Sequence, residues 1–185
     1  MKRTLITAAL AAGSTAALAL PGAPAIGGAS SVDTGRQALT SYNATHVPAG
    51  ATAKVRAVYT ASGSTVVTLH VWGLAPNREY GAHAHRFACS PTSAAAAGGH
   101  FQYAVDPVQP STDPAYANPW NEVWLDLTTD GDGNGSGQTV VRWQPPNGSG
   151  ARPASVILHD HHTATGPAGS AGTAGPRYGC LTVAF

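Results

Sequence analysis

Eight histidines stand in a chain in which only 10% of the residues are charged. Four of them fall where their rings could converge. His83-Ala84-His85 lies in a segment patterned as a strand, and residues i and i+2 of a strand face the same side. Both imidazoles therefore point one way and Ala84 the other. His100 follows Gly98-Gly99 in a long irregular stretch, and His159 ends the apolar run Val156-Ile157-Leu158. An isolated His-x-His is more often structural than metal-binding, so the pair gains weight from the other two. Imidazole suits copper, zinc, iron and nickel. A site built only from neutral imidazoles holds both Cu(I) and Cu(II), which bare carboxylates would not. His46 and His70 are assigned to no site. His161 and His162 read either as extra copper-capture ligands or as solvated loop residues.

Strands must position these rings. Residues 53–60 alternate polar and apolar, the period of a half-buried strand, and Ala61-Ser62-Gly63-Ser64 turns the chain back into the β-rich run Val66–Trp72. Further strands are expected over residues 79–87, 122–128, 138–143, 154–160 and 178–185. Two long stretches, 88–119 and 161–176, lack regular patterning, and irregular segments of that length in a small domain are usually functional. No helical period is sustained and no repeat is found. The pattern predicts an all-β domain with two long loops. Asp130-Gly131-Asp132-Gly133-Asn134 imitates the first half of a calcium loop, but the twelfth position, which should be Glu, is Val141. A Gly-rich hairpin turn is the better reading.

A formal net charge of +1 excludes a strongly basic nucleic-acid binder and an acidic tail. Lys2-Arg3, the soft apolar stretch Leu5–Leu20 and the small residues Ala23 and Ala25 read as a secretory signal peptide over residues 1–25, too interrupted for a membrane span. Residues 26–50, rich in Gly, Ala, Ser and Thr, read as a flexible lead-in, and 51–185 as the domain. Export implies an extracytoplasmic or secreted protein. In an oxidising compartment, Cys89 and Cys180 are most simply a disulfide. Closing a loop of that length contributes roughly 4–5 kcal/mol in the chain-entropy model.

Gly81-Ala82-His83-Ala84-His85, Ala97-Gly98-Gly99-His100-Phe101, Leu158-His159 and Ala174-Gly175-Pro176-Arg177-Tyr178-Gly179-Cys180 resemble the copper–zinc superoxide dismutase family in order and approximate spacing. The resemblance covers residues 52–185. It implies an eight-stranded Greek-key β-sandwich or flattened barrel with two long functional loops. It implies that His83, His85, His100 and His159 hold copper, with His100 at the place of the imidazole that bridges copper and zinc. It implies an intrachain Cys89–Cys180 disulfide, and it makes Arg177 the arginine that guides superoxide.

The chain departs from that family at zinc. No histidine lies between Phe101 and Leu158, and the carboxylates there are Asp106, Asp113, Glu122, Asp126, Asp130 and Asp132. Zinc takes four N, S or O ligands, which His100 and scattered carboxylates do not supply. The chain therefore reads as copper-only, with zinc absent. Thr163 stands where the family has the aspartate that links its two metal sites. Glu122 falls within about a residue of the lost zinc aspartate and is the candidate to orient His100, since a ligating imidazole is normally held by an acceptor on its other nitrogen. The second loop carries no Lys or Glu before Arg177, which weakens electrostatic steering.

The function expected from the resemblance is an exported copper-dependent superoxide dismutase, with superoxide as substrate and no nucleic-acid or membrane-spanning role. The alternative is a non-catalytic extracellular copper-binding or sequestering domain on the same fold. Arg177 favours the enzyme, because storage needs no anion guide.

Overall fold

The computed structural model describes residues 29–147 and 151–185, so the expected leader over residues 1–25 lies outside the described residues. Eleven strands follow in order: β1 Ser30–Asp33, β2 Gln37–Ala38, β3 Thr40–Ser41, β4 Thr52–Tyr59, β5 Thr65–Trp72, β6 Glu79–Tyr80, β7 Ala82–His85, β8 Leu127–Thr128, β9 Gly135–Val141, β10 Ser155–His159 and β11 Arg177–Thr182. One sheet runs β1-β4-β5-β9 with β2 also paired to β4, a second runs β3-β11-β10-β7, and β6 pairs β8. All pairs are antiparallel. The fold is an all-β sandwich whose sheets stay open, with crossovers joining neighbours such as β5 and β9 that are distant in sequence. Among the described residues, no helix is long and apolar enough to cross a membrane.

The alternation read in the sequence becomes the core. Ala53, Val55 and Ala57 of β4 pair with Val71, Leu69 and Val67 of β5, and all six are buried. Full burial of a Val or Leu side chain contributes about 1.5–3 kcal/mol. β10 is different, because all of its residues are buried. Val156 and Leu158 join the main core. Ile157 faces the other way, packing with Ala97 and Cys180 under the first long loop. The outer face of this sheet is therefore covered by loop, and His83, His85 and His159 lie there.

Three segments differ from expectation. Residues 30–41 are not a flexible lead-in: β1 and β2 pair with β4, and β3 pairs with β11. The domain therefore begins before residue 51. These short strands sit at sheet edges and are mostly exposed, so backbone hydrogen bonds hold them and no apolar alternation marks them. The expected strand over 79–87 divides at Gly81, where a Cβ would stand 2.4 Å from the His161 carbonyl oxygen. The strand over 122–128 shrinks to β8, preceded by single bridges from Trp124 to His83 and from Glu122 to Gln102. The Asp130 segment is a hairpin turn into β9, its Oδ1 accepting from the amides of Asp132 and Asn134.

Candidate metal centre

Period two puts His83 and His85 of β7 on the face opposite Ala82 and Ala84, which join the main core. β10 pairs Ile157 with His83, and His159, two residues on, shares that outer face. The register shifts between Leu158 and His159, where His159 comes opposite Arg177. His100 arrives from the first long loop and bridges to His85. One ligand atom from each of His83, His85, His100 and His159 lies within 4.8 Å of every other. The structure thus brings together all four histidines singled out in the sequence.

Hydrogen bonds decide which nitrogen each ring presents. His85 Nδ1 donates to the Gly98 carbonyl at 3.0 Å, and His159 Nδ1 to the Gly175 carbonyl at 3.1 Å. His100 Nδ1 faces Glu122 Oε2 at 2.8 Å. Those three rings present Nε2, and the Nε2 atoms of His85 and His159 are 3.3 Å apart. His83 is reversed: its Nε2 meets Thr163 Oγ1 at 2.5 Å. Its Nδ1 is buried without a hydrogen-bond partner. Buried polar atoms are normally satisfied, and an ion among the four rings would satisfy this one. Burial holds His83 and His85 well below the ordinary imidazole value, reinforced by the neighbouring rings of His100 and His159. Burial, then His100, brings His159 down to about 3. Neutral imidazoles are the ligating form, so His83, His85 and His159 fit a metal ion without prior loss of protons.

Glu122 is buried and its carboxylate is fully engaged. Oε2 accepts from His100 Nδ1 and Trp124 Nε1, each at 2.8 Å, and Oε1 accepts from Gln102 Nε2 at 2.8 Å. Gln102 Oε1 accepts from the Asp106 amide, and Asp106 Oδ2 accepts from Ser111 Oγ. A chain of polar groups thus runs from His100 into the first long loop. Sequence reasoning placed Glu122 here but missed Gln102 and Trp124, which carry no metal-binding signature.

Arg177 lies beside the four rings. Nη1 donates to the Ala94 carbonyl at 2.8 Å and Nη2 to the Gly98 carbonyl at 2.6 Å, fixing the guanidinium to the loop. With His100 and His159 it lines a cavity of about 330 Å³, walled also by Gln109 and Thr173. Burial lowers its pKa, yet an arginine stays charged in proteins. Cys89 and Cys180 form a disulfide with a Cα–Cα distance of 5.8 Å, tying the first long loop to β11.

The remaining histidines stand apart from the cluster. His161 and His162 are exposed, and His162 Nε2 donates to the Leu127 carbonyl at 3.0 Å. His46 stacks on Tyr178 with ring centroids 4.6 Å apart, and His70 stacks on Trp72.

No protein-family model and no curated protein matches the chain. Solved structures resemble it at low identity. The clock protein EA4 aligns with a TM-score of 0.57 and 18% identity, over 83% of this chain and 92% of that one. Cu/Zn superoxide dismutase from Brucella abortus aligns with a TM-score of 0.53 and 17% identity, over 84% of this chain and 99% of that one. At such identities the likeness shows a shared fold: the sandwich of this chain is that of a Cu/Zn superoxide dismutase.

Proposed function

We propose that the chain is an exported superoxide dismutase that works with copper alone. One observation carries this reading: four imidazole nitrogens converge, and two of those rings, His100 and His159, line one cavity together with the Arg177 guanidinium. The donor set is all nitrogen, which suits copper, and the buried Nδ1 of His83 lacks any other partner. Copper, when bound, supplies the one-electron cycling between Cu(II) and Cu(I) that turns two superoxide anions and two protons into O₂ and H₂O₂.

The protein supplies position, charge and protons. Two of Arg177's guanidinium hydrogens are used by the carbonyls of Ala94 and Gly98. Of the five that a guanidinium carries, the others remain to hold superoxide by charge-assisted hydrogen bonds. His83 and His85 are buried completely, so the surrounding packing would hold their rings in place around a bound ion. His100 is less buried, with 19% of its side chain exposed, and it lines the cavity. Its Nε2 takes up a proton and returns it to the departing peroxide, while Glu122 keeps hold of Nδ1–H. In the two-metal family that outer nitrogen belongs to zinc; its engagement with Glu122 supports a copper-only site. The disulfide supports export, since such bonds persist in oxidising compartments.

Superoxide consumption by copper-loaded protein tests the proposal, with Arg177→Ala measured alongside. Turnover is expected, falling about 10–100-fold in Arg177→Ala if a charged hydrogen bond to the substrate is lost. Stoichiometric copper without turnover selects the non-catalytic copper-binding alternative, for fold does not fix function.

A further inference from the structure

We propose that Thr163 and Asp126 form a positioning dyad that fixes the tautomer of His83 and aims its Nδ1 at the metal. The proposal rests on the metal-centre reading above and adds two residues to it.

Proton accounting carries it. Thr163 Oγ1 lies 2.5 Å from His83 Nε2 and 2.7 Å from Asp126 Oδ1. A hydroxyl has one hydrogen to give, and an ionised carboxylate can only accept. That hydrogen therefore goes to Asp126, and the hydroxyl oxygen turns a lone pair towards His83. Nε2 must then carry the ring hydrogen. A neutral imidazole has only one, so Nδ1 is left as a bare lone pair, at the atom that is buried without a partner. The opposite tautomer would bury an N–H with no acceptor and set two lone pairs against each other across the Thr163 contact.

Asp126 is itself held. Oδ1 also accepts the Ala82 amide at 3.0 Å, and Oδ2 accepts the Thr163 amide at 2.6 Å. The carboxylate thus links β7, one residue from His83, to the second long loop. Its Oδ1 lies 4.0 Å from His83 Nε2, beyond hydrogen-bonding distance, so the Thr163 hydroxyl carries the contact between carboxylate and ring. His85 and His159 are oriented by backbone carbonyls and His100 by Glu122. Only His83 presents Nδ1, and it alone is oriented through a hydroxyl.

The test reads the tautomer directly. Long-range ¹H–¹⁵N correlation spectra of the metal-free protein are expected to show His83 protonated on Nε2. Thr163→Val keeps the side-chain volume and removes the hydroxyl; it is expected to lose the single tautomer and to weaken copper binding about 10–100-fold in a chelator competition. Thr163→Ser restores the hydroxyl and is expected to recover both. Asp126→Asn provides a second measurement if Thr163→Val does not fold, and is expected to weaken copper binding in the same direction. A wild-type His83 protonated on Nδ1 overturns the proposal, as does a Thr163→Ser protein as impaired as Thr163→Val. Because the tautomer is read without metal, copper binding without turnover removes the enzymatic reading and leaves the dyad standing.

Discussion

His85 and Arg177 donate to one acceptor: the Gly98 carbonyl takes the imidazole Nδ1 at 3.0 Å and the guanidinium Nη2 at 2.6 Å. The orientation of one imidazole of the cluster and that of the Arg177 guanidinium are set by a single peptide group. Gly98 has φ 72° and ψ −161°, a region open to glycine alone, and a Cβ there would stand 2.7 Å from the Phe87 ring. Gly98→Ala is expected to cost about 1–3 kcal/mol, and to lower copper retention and superoxide turnover together. Urea denaturation beside copper analysis of the dialysed protein checks this. Unchanged copper and turnover would show that the shared carbonyl has no such role.

Single substitutions of the ligands are expected to separate the cluster from its neighbours. His83→Ala, His85→Ala and His159→Ala should each abolish copper retention against a competing chelator. His161→Ala and His162→Ala should retain it, since neither ring joins the convergent set. Equal losses at the loop histidines would assign the site elsewhere.

Metal content and Glu122 are coupled. Protein loaded with both ions is expected to hold one equivalent of copper and no stoichiometric zinc. Glu122→Ala should keep copper but lose turnover, roughly 10–100-fold, because His100 Nδ1 loses the carboxylate 2.8 Å away. A full equivalent of tightly bound zinc, or an unaffected Glu122→Ala enzyme, would count against the copper-only reading.

Acid should destabilise the metal-free protein. Burial holds His83 and His85 well below their usual range and His159 down to about 3, whereas each binds a proton near about 6.5 in the unfolded chain. Below that pH the unfolded chain carries more protons than the folded one, so stability falls as pH falls. Above about 6.5 the contribution is complete, and for His159 the loss runs on towards pH 3. One such histidine accounts for about 1.4 kcal/mol per pH unit. Urea midpoints of the metal-free protein between about pH 7.5 and about pH 5 test this, and a flat profile would contradict buried neutral rings.

Much of this arrangement is legible in one dimension, and the reason is periodicity. Alternation in β4 and β5 marks the core faces, and His83-x-His85 marks a shared face by the same rule. The edge strands β1–β3 escape notice because an exposed edge needs backbone pairing and no apolar pattern. Hydrogen-bond partners escape it for another reason. Thr163 meets His83 across 80 residues and Asp126 across 37, and nothing local in a threonine announces which ring it will face. Glu122 is found only because its place can be compared with that of a missing zinc ligand. Gln102 and Trp124, which complete its environment, have no such reference.

The edge strands also limit where the chain can be trimmed. Within a dozen residues, β1 and β2 seal the flank of β4 and β3 seals that of β11, the strand that carries Arg177 and Cys180. A peptidase cutting after Ala25 leaves all three in place. One cutting beyond Ser41 would strip both flanks at once and expose two rows of unpaired amides and carbonyls, the template on which copies of a β-protein associate. Where the chain is cut therefore bears on its solubility.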